Sequence, residues 1–291
     1  MRKSELIAIL LPSKKRVTDL LITAFFTSLN CPSGYQAKFF ICANYSKIKL
    51  FFLKIVLFKK ALFIDERKLP WKGMIGAYNY AFELAKSKKA KYVILWADDL
   101  IPEKHNWLHE VIKIIQNKNM TFGIFSSDEG HHAGFYGWNI FGGYPCAHFF
   151  VAETDLMPGY LVNPKLNAYV ADNEIAVDRV KKGFQVYLLP IRVFHQHTLN
   201  PTRTSNIGNY EKDLKIMYEL HADLTGKLDN VVLRGNVSDG NSCFVPDQNK
   251  EIIYSKEVDC LKIDDFKKVA YRPQYSYRSK IWNIRKILNK N

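Results

Sequence analysis

Asp98 and Asp99 stand side by side at the end of the apolar run Tyr92-Val-Ile-Leu-Trp96, with Pro102 soon after. The run reads as a buried strand because β-branched and aromatic residues follow one another without a polar break. Ligands of open α/β sheets sit at the carboxyl ends of strands. Two acids there form a seat for a hard divalent cation, which prefers oxygen ligands and shares them with substrate phosphates. A solvated Asp-Asp turn is the competing reading, and a short motif alone does not decide between them.

A second acid group, Asp172-Asn173-Glu174, opens a helical segment. A carboxylate in that position can take a proton from a hydroxyl; the same triplet is also a good helix start. The extended stretch 184–195 ends in His195-Gln196-His197. A lone histidine at a strand end is more often a structural residue satisfied by a hydrogen bond. His131-His132 lack the partner spacing of a structural zinc site and read as loop residues near substrate.

The elements that must position these groups alternate. Residues 5–12 and 37–43 read as strands, with a helix between them capped by Thr18 or Asp19 and reaching about Leu29. A helix from Ser46 to about Phe58, a short strand at 61–64 and a helix from Met74 to about Lys86 lead to the Asp-Asp strand. Four strands before residue 100, separated by helices, predict a parallel sheet wrapped by helices. Beyond Pro102 the pattern predicts a helix over 104–118, strands at 121–125 and 147–152, a helix from Asp172 to Lys182 closed by Gly183, and a helix over 210–224. Residues 126–145, rich in glycine, histidine and aromatics, read as a substrate-lining loop or hairpin. Residues 227–265 read as irregular, and after Asp265 basic residues gather among Tyr and Trp with no carboxylate.

Composition narrows the class. The 291 residues suffice for one large α/β domain or two smaller ones, and the apolar share of 47% with 24% charged argues against disorder. Five widely spaced cysteines have neither zinc nor redox spacing and read as reduced thiols. The N-terminal apolar stretch carries Glu5 and is followed by basic residues, which fits a first strand better than a signal peptide. Leu50 to Phe58 is too short to span a membrane. The expectation is a cytoplasmic chain able to rest on a membrane surface. A formal charge of +14 implies attraction to polyanions without choosing among them. Neither a Gly-x-Gly-x-x-Gly after the first strand nor a Walker lysine motif occurs, so dinucleotide dehydrogenases and P-loop NTPases fit poorly.

Ala97-Asp98-Asp99 at a strand end, Asp172-Asn173-Glu174 opening a helix and a histidine ending a later strand occur in an order that resembles GT-A-fold glycosyltransferases, most closely the inverting family 2-like group. The helix Gly73-Met-Ile-Gly-Ala-Tyr-Asn79-Tyr-Ala81 is similar to the one preceding the acidic strand in that group. The resemblance covers roughly residues 5–200. It implies an α/β fold of GT-A type, with a catalytic domain over 1–226 (nucleotide half about 1–102, acceptor half about 103–226) and a basic extension over 227–291. It further implies a metal-dependent inverting transferase that uses Mn²⁺ or Mg²⁺. The sugar would pass from a nucleotide-diphosphate donor to a glycan or lipid-linked acceptor in surface glycan synthesis, with no nucleic-acid partner.

By the same resemblance Asp99 holds the metal and Asp98 assists, through the metal or the donor ribose. Pro12, Ser13 and Arg16 border the nucleotide, Asn79 belongs to the cofactor side, and Asn44 lies near the base. The family usually has an acid where Asn44 stands, which leaves the base open. Asp172 is the general base with Glu174 in reserve, and His195 is a further metal-side or pyrophosphate-side ligand with His197 as the alternative. Ile281, Trp282, Ile284, Ile287 and Leu288 among Lys and Arg have the composition of an interfacial helix. Two other classes remain. A sugar-nucleotidyltransferase would need a Gly-rich loop where Leu-Pro-Ser-Lys-Lys-Arg stands. A non-enzymatic polyanion binder leaves acids at strand ends unexplained.

Overall fold

Strands buried on both faces read as nearly continuous apolar runs, and the first half of the chain supplies three of them, with a fourth, half-buried strand at the sheet's edge. The computed structural model describes residues 4–14, 16–69, 73–127, 140–141, 144–145, 147–157, 159–167, 170–184, 186–195, 207–222, 243–246 and 252–254. Its nucleotide-half elements are β1 (Glu5–Lys14), α1 (Val17–Phe26), β2 (Tyr35–Asn44), α2 (Lys47–Val56), β3 (Ala61–Asp65), α3 (Met74–Ser87) and β4 (Ala90–Leu95). Then follow β5 (Leu100–Pro102), α4 (Trp107–Lys118), β6 (Phe122–Ser127), β7 (Ile140–Phe141), β8 (Tyr144–Pro145) and β9 (Phe150–Glu153). The chain continues through α5 (Ala171–Lys181), β10 (Val186–His195), α6 (Ile207–Leu220), β11 (Cys243–Pro246) and β12 (Ile252–Tyr254).

Ten strands form one sheet in the order β12-β11-β10-β6-β9-β4-β1-β2-β3, with β5 pairing β10 off that path. Strands β4, β1, β2 and β3 are mutually parallel. After β3 the chain crosses to the far side of β1 to lay down β4, so β1 and β4 flank a topological switch point, where such sheets open a crevice at the strands' carboxyl ends. Ile9, Leu10, Phe39, Phe40, Phe82, Val93 and Ile94 fill the centre without exposure. Each buried side chain of this size stabilises the fold by about 1.5–3 kcal/mol. Helix α3 enters at Gly73, whose φ of 108° is open to glycine and strained for other residues.

Three features differ from the sequence reading. Strand β9 runs antiparallel between β4 and β6, and four residues carry no signal of direction. Pro102 does not simply end the extended segment: Leu100–Pro102 pairs antiparallel with β10, and proline is tolerated at such a strand terminus. The stretch read as irregular beyond residue 226 returns to the sheet, with β11 paired to Val186 and Tyr187 and β12 to β11. Gly183 takes the left-handed conformation (φ 82°) expected of a helix-closing residue. Of 126–145, read as a loop or hairpin, Ser126 and Ser127 instead extend β6 and pair with β10, and the hairpin β7–β8 is described; His131, His132, His197 and the tail beyond 254 lie outside the described residues.

Candidate active site

Asp98 and Asp99 occupy the turn between β4 and β5, and both are almost wholly buried. Three side chains fix this turn. Thr23 of α1 donates to the Asp98 carbonyl at 2.9 Å. Tyr78 of α3 donates to the Trp96 carbonyl at 2.7 Å. The Trp96 indole donates to the Leu100 carbonyl at 3.2 Å while its ring stacks on Trp107, centroids 4.8 Å apart. The turn therefore rests on packed aromatics and is held from two helices.

The Asp98 carboxylate accepts from Ser13 Oγ at 2.6 Å, and Ser13 in turn contacts the Tyr45 hydroxyl. Burial raises the Tyr45 phenol to about 12, so it stays protonated and able to donate down this chain. Arg16 spans both acids, 2.6 Å from an Asp98 oxygen and 2.6 Å from an Asp99 oxygen. Burial pushes the Asp98 carboxyl up to about 7, with Asp99 adding to the rise and Arg16 opposing it. That value lies above an ordinary carboxyl near about 4, so the folded state holds the extra proton between the two, and stability falls as pH rises through that window.

Arg16→Met removes the counter-charge and extends this loss to higher pH. The expected destabilisation near about pH 8 is about 2 kcal/mol, less than for a fully buried pair because water reaches the guanidinium. Thermal melts of wild type and variant should diverge as pH rises from about 5 to about 9; parallel curves contradict the role given to Arg16.

Asp172, in the first turn of α5, pairs with His148, whose Nε2 lies 2.5 Å from its carboxylate. Burial works to raise the Asp172 carboxyl. The electrostatic pull of His148, its hydrogen bond, and the amides of Asp172 and Asn173 outweigh that and hold it below its usual range. Val170, just before the helix, has φ 50°, a conformation that costs a β-branched residue about 1–3 kcal/mol.

Glu174 lies on the same helix but faces inward. It is buried, accepts from Asn163 Nδ2 at 3.2 Å and lies 3.5 Å from His221 Nε2. Of the two acids Asp172 is the more open to solvent, with side-chain exposure of 28% against 5%.

Register brings the two acid groups to one edge of the sheet. Leu95, the last residue of β4, pairs with Phe150, the first of antiparallel β9. His148 therefore lies beyond the end of β4, on the edge that carries Asp98 and Asp99. The neighbouring Phe149 ring tilts toward Trp96 with centroids 6.5 Å apart, and the Ala147 amide donates to the Asp172 carbonyl at 2.9 Å. His195, the last residue of β10, pairs in register with Leu100, next to Asp99. Asn44 pairs with Lys14 at the ends of β2 and β1, and half-buried Pro12 and buried Ser13 lie on the same rim.

Asn79 stands apart from this rim in its contacts. Its amide donates to the Val162 carbonyl at 2.8 Å and accepts from the Leu161 and Val162 amides at 2.9 Å each, which ties that loop to α3. His148, Thr23, Tyr45 and Tyr78 were not singled out by the sequence. His148 sits just before a strand, in no recognisable spacing, and the others look like ordinary face-inward residues.

No sequence-family model and no curated protein matches the chain. Solved structures do. Residues 1–349 of S. aureus TarS in complex with UDP-GlcNAc align with TM-score 0.54 and 12% identity, over 78% of this chain and 68% of that one. The mannosyltransferase PcManGT from Pyrobaculum calidifontis, in complex with GDP-Man and Mn²⁺, aligns with TM-score 0.53 and 9% identity, over 76% and 65%. Mannosyl-3-phosphoglycerate synthase from Rubrobacter xylanophilus aligns with TM-score 0.53 and 14% identity, over 89% and 88%. The chain spans 40% of the longer TarS chain. At these identities the likeness establishes the fold, which is that of GT-A glycosyltransferases.

Proposed function

We propose that this GT-A-fold chain is a metal-dependent inverting glycosyltransferase, moving a sugar from a nucleotide-diphosphate donor to a hydroxyl of a glycan or lipid-linked acceptor. The observation that carries the reading is the single sheet edge shared by the buried Asp98-Asp99 turn and the half-open Asp172–His148 pair. The complexes of the fold neighbours with UDP-GlcNAc and with GDP-Man and Mn²⁺ support the donor class and the cation.

Two adjacent carboxylates are the right donors for Mn²⁺ or Mg²⁺, which bind hard oxygens and complete their shells from phosphate and water. Among the described residues no third His, Cys, Asp or Glu joins them. Arg16 engages the same oxygens, so a cation competes with it for them. Asp99 and Asp98 would hold the cation, which when bound supplies Lewis-acid stabilisation of the diphosphate leaving group. Arg16, the more solvent-exposed partner, turns its charge toward the same phosphates when displaced. The acceptor oxygen attacks the anomeric carbon as the carbon–phosphate oxygen bond breaks, and Asp172 takes the hydroxyl proton. His148 holds that carboxylate ionised and oriented.

His148→Ala removes the two strongest lowering influences on Asp172 and leaves burial, which raises it. The acid limb of the kcat profile should therefore move to higher pH. Asp172 stabilises the wild-type fold above its unfolded value near about 4, and that contribution disappears as pH falls through its lower folded value. The variant should lack that acid-side loss, and an unchanged acid limb contradicts the pairing. We further place the activity on the cytoplasmic face of a membrane. The thiols of Cys31 and Cys42 and the basic, apolar 281–288 stretch support that placement. A screen of UDP-, GDP- and other nucleotide sugars with Mn²⁺ for donor consumption tests the assignment: consumption of one donor supports it, and inertness toward all of them overturns it.

A further inference from the structure

Helix α2 turns a broad apolar face outward. Ile48, Phe51, Phe52 and Phe58 are exposed by 71, 62, 60 and 77%, and Ile55 and Val56 by more than half. The opposite stripe of Leu50 and Leu53, continued by Leu57, is buried against the domain, so the helix is docked on one side and greasy on the other. At about 100° per residue, Ile48, Phe51, Phe52 and Ile55 fall on one face. Lys49 then borders that face on one side, and Lys47 and Lys54 on the other, all three exposed. Lys59 and Lys60 follow directly. Lys60 Nζ lies 5.6 Å from the ring of Phe25, which is 58% exposed on α1 and widens the patch.

Charge selects the occupant. No carboxylate occurs between Asp19 and Asp65, so lysines are the only charged side chains on α2 and its flanks. A second copy docked face to face would bring two lysine sets together, which like-charge repulsion opposes. The face is also a convex helix rather than a groove. We infer that this face of α2 docks on an anionic lipid bilayer, with Ile48, Phe51, Phe52 and Ile55 entering the acyl boundary and the flanking lysines meeting phosphate headgroups. Helix α2 starts from the carboxyl end of β2, the sheet edge that carries Ser13 and the Asp98-Asp99 turn. Docking would therefore hold that edge near the membrane surface.

The full chain is floated with phosphatidylglycerol-containing vesicles and with pure phosphatidylcholine vesicles. Wild type should bind the anionic vesicles far better, and the difference should shrink at high salt. Phe51→Ser/Phe52→Ser/Ile55→Ser should weaken anionic-vesicle binding at least about tenfold with an unchanged melting temperature, because the replaced side chains are exposed. Lys47→Glu/Lys49→Glu/Lys54→Glu should do the same. Ile281→Ser/Trp282→Ser, in the tail, should keep most of the binding. Wild type that does not float overturns the inference, as does binding lost in the tail variant and kept in the α2 variants. A wild-type dimer that the serine variant turns into a monomer, with no vesicle binding, assigns the face to a second copy and overturns it too. Vesicle binding needs no nucleotide, so these outcomes are independent of the transferase reading.

Discussion

Asp99→Ala lowers sugar transfer about a thousandfold while the chain keeps its fold. Losing a carboxylate that anchors a Lewis acid at a diphosphate removes several kcal/mol of transition-state stabilisation, and about 4 kcal/mol corresponds to that factor. Stability changes little, because Arg16 still pairs with Asp98 at 2.6 Å and like-charge crowding inside the turn is relieved. Titration with UDP or GDP and Mn²⁺ should show weakened binding in step with lost turnover, beside a melting temperature close to wild type. Full activity in this variant contradicts the account.

Asp172→Asn has the second large effect, with a different signature. Removing a general base costs about 10²–10⁴ in kcat, and in the role proposed for Asp172 toward the acceptor hydroxyl its loss should leave donor affinity as in wild type. Asn is isosteric and still accepts from His148, so the start of α5 is preserved. The double variant with His148→Ala should lose little more than Asp172→Asn alone, since the histidine acts through the carboxylate. Weakened donor binding, or losses that multiply, would move Asp172 out of the role given to it. Glu174→Gln serves as the control: Glu174 is buried against Asn163 and His221, so its loss should read mainly as stability.

What the sequence discloses is what depends on local pattern. Apolar runs such as Tyr92–Trp96 and Phe39–Cys42, separated by helical periodicity, announce a parallel sheet, and the acids that follow Trp96 lie at the carboxyl end of its strand. Gly73 and Gly183, at a helix start and a helix end, take φ of 108° and 82°, backbone angles that favour glycine. Pairing direction and long-range partners are not local. Phe150–Glu153 reads as a strand but not as an antiparallel one, and Leu100–Pro102 is too short to declare its pairing with β10. Arg16 could be suspected of meeting phosphate, yet its closure over both carboxylates depends on β1 and β4 being neighbours. His148 becomes visible as a partner only once antiparallel β9 carries it to the edge beside Asp172. Asn79, a polar residue in a suggestive helix, is engaged with the backbone of residues 161–162, a partnership no local pattern announces.

The most direct test of the shared edge is crystallographic. Crystals of Asp172→Asn are grown with Mn²⁺ and the nucleotide sugar chosen by the donor screen, and the cation is located from its anomalous signal. The account predicts Mn²⁺ against Asp99 and Asp98, Arg16 turned onto the diphosphate, and the anomeric carbon facing residue 172. Cation and diphosphate bound away from the β1–β4 switch point, or a sugar pointing away from residue 172, would contradict it.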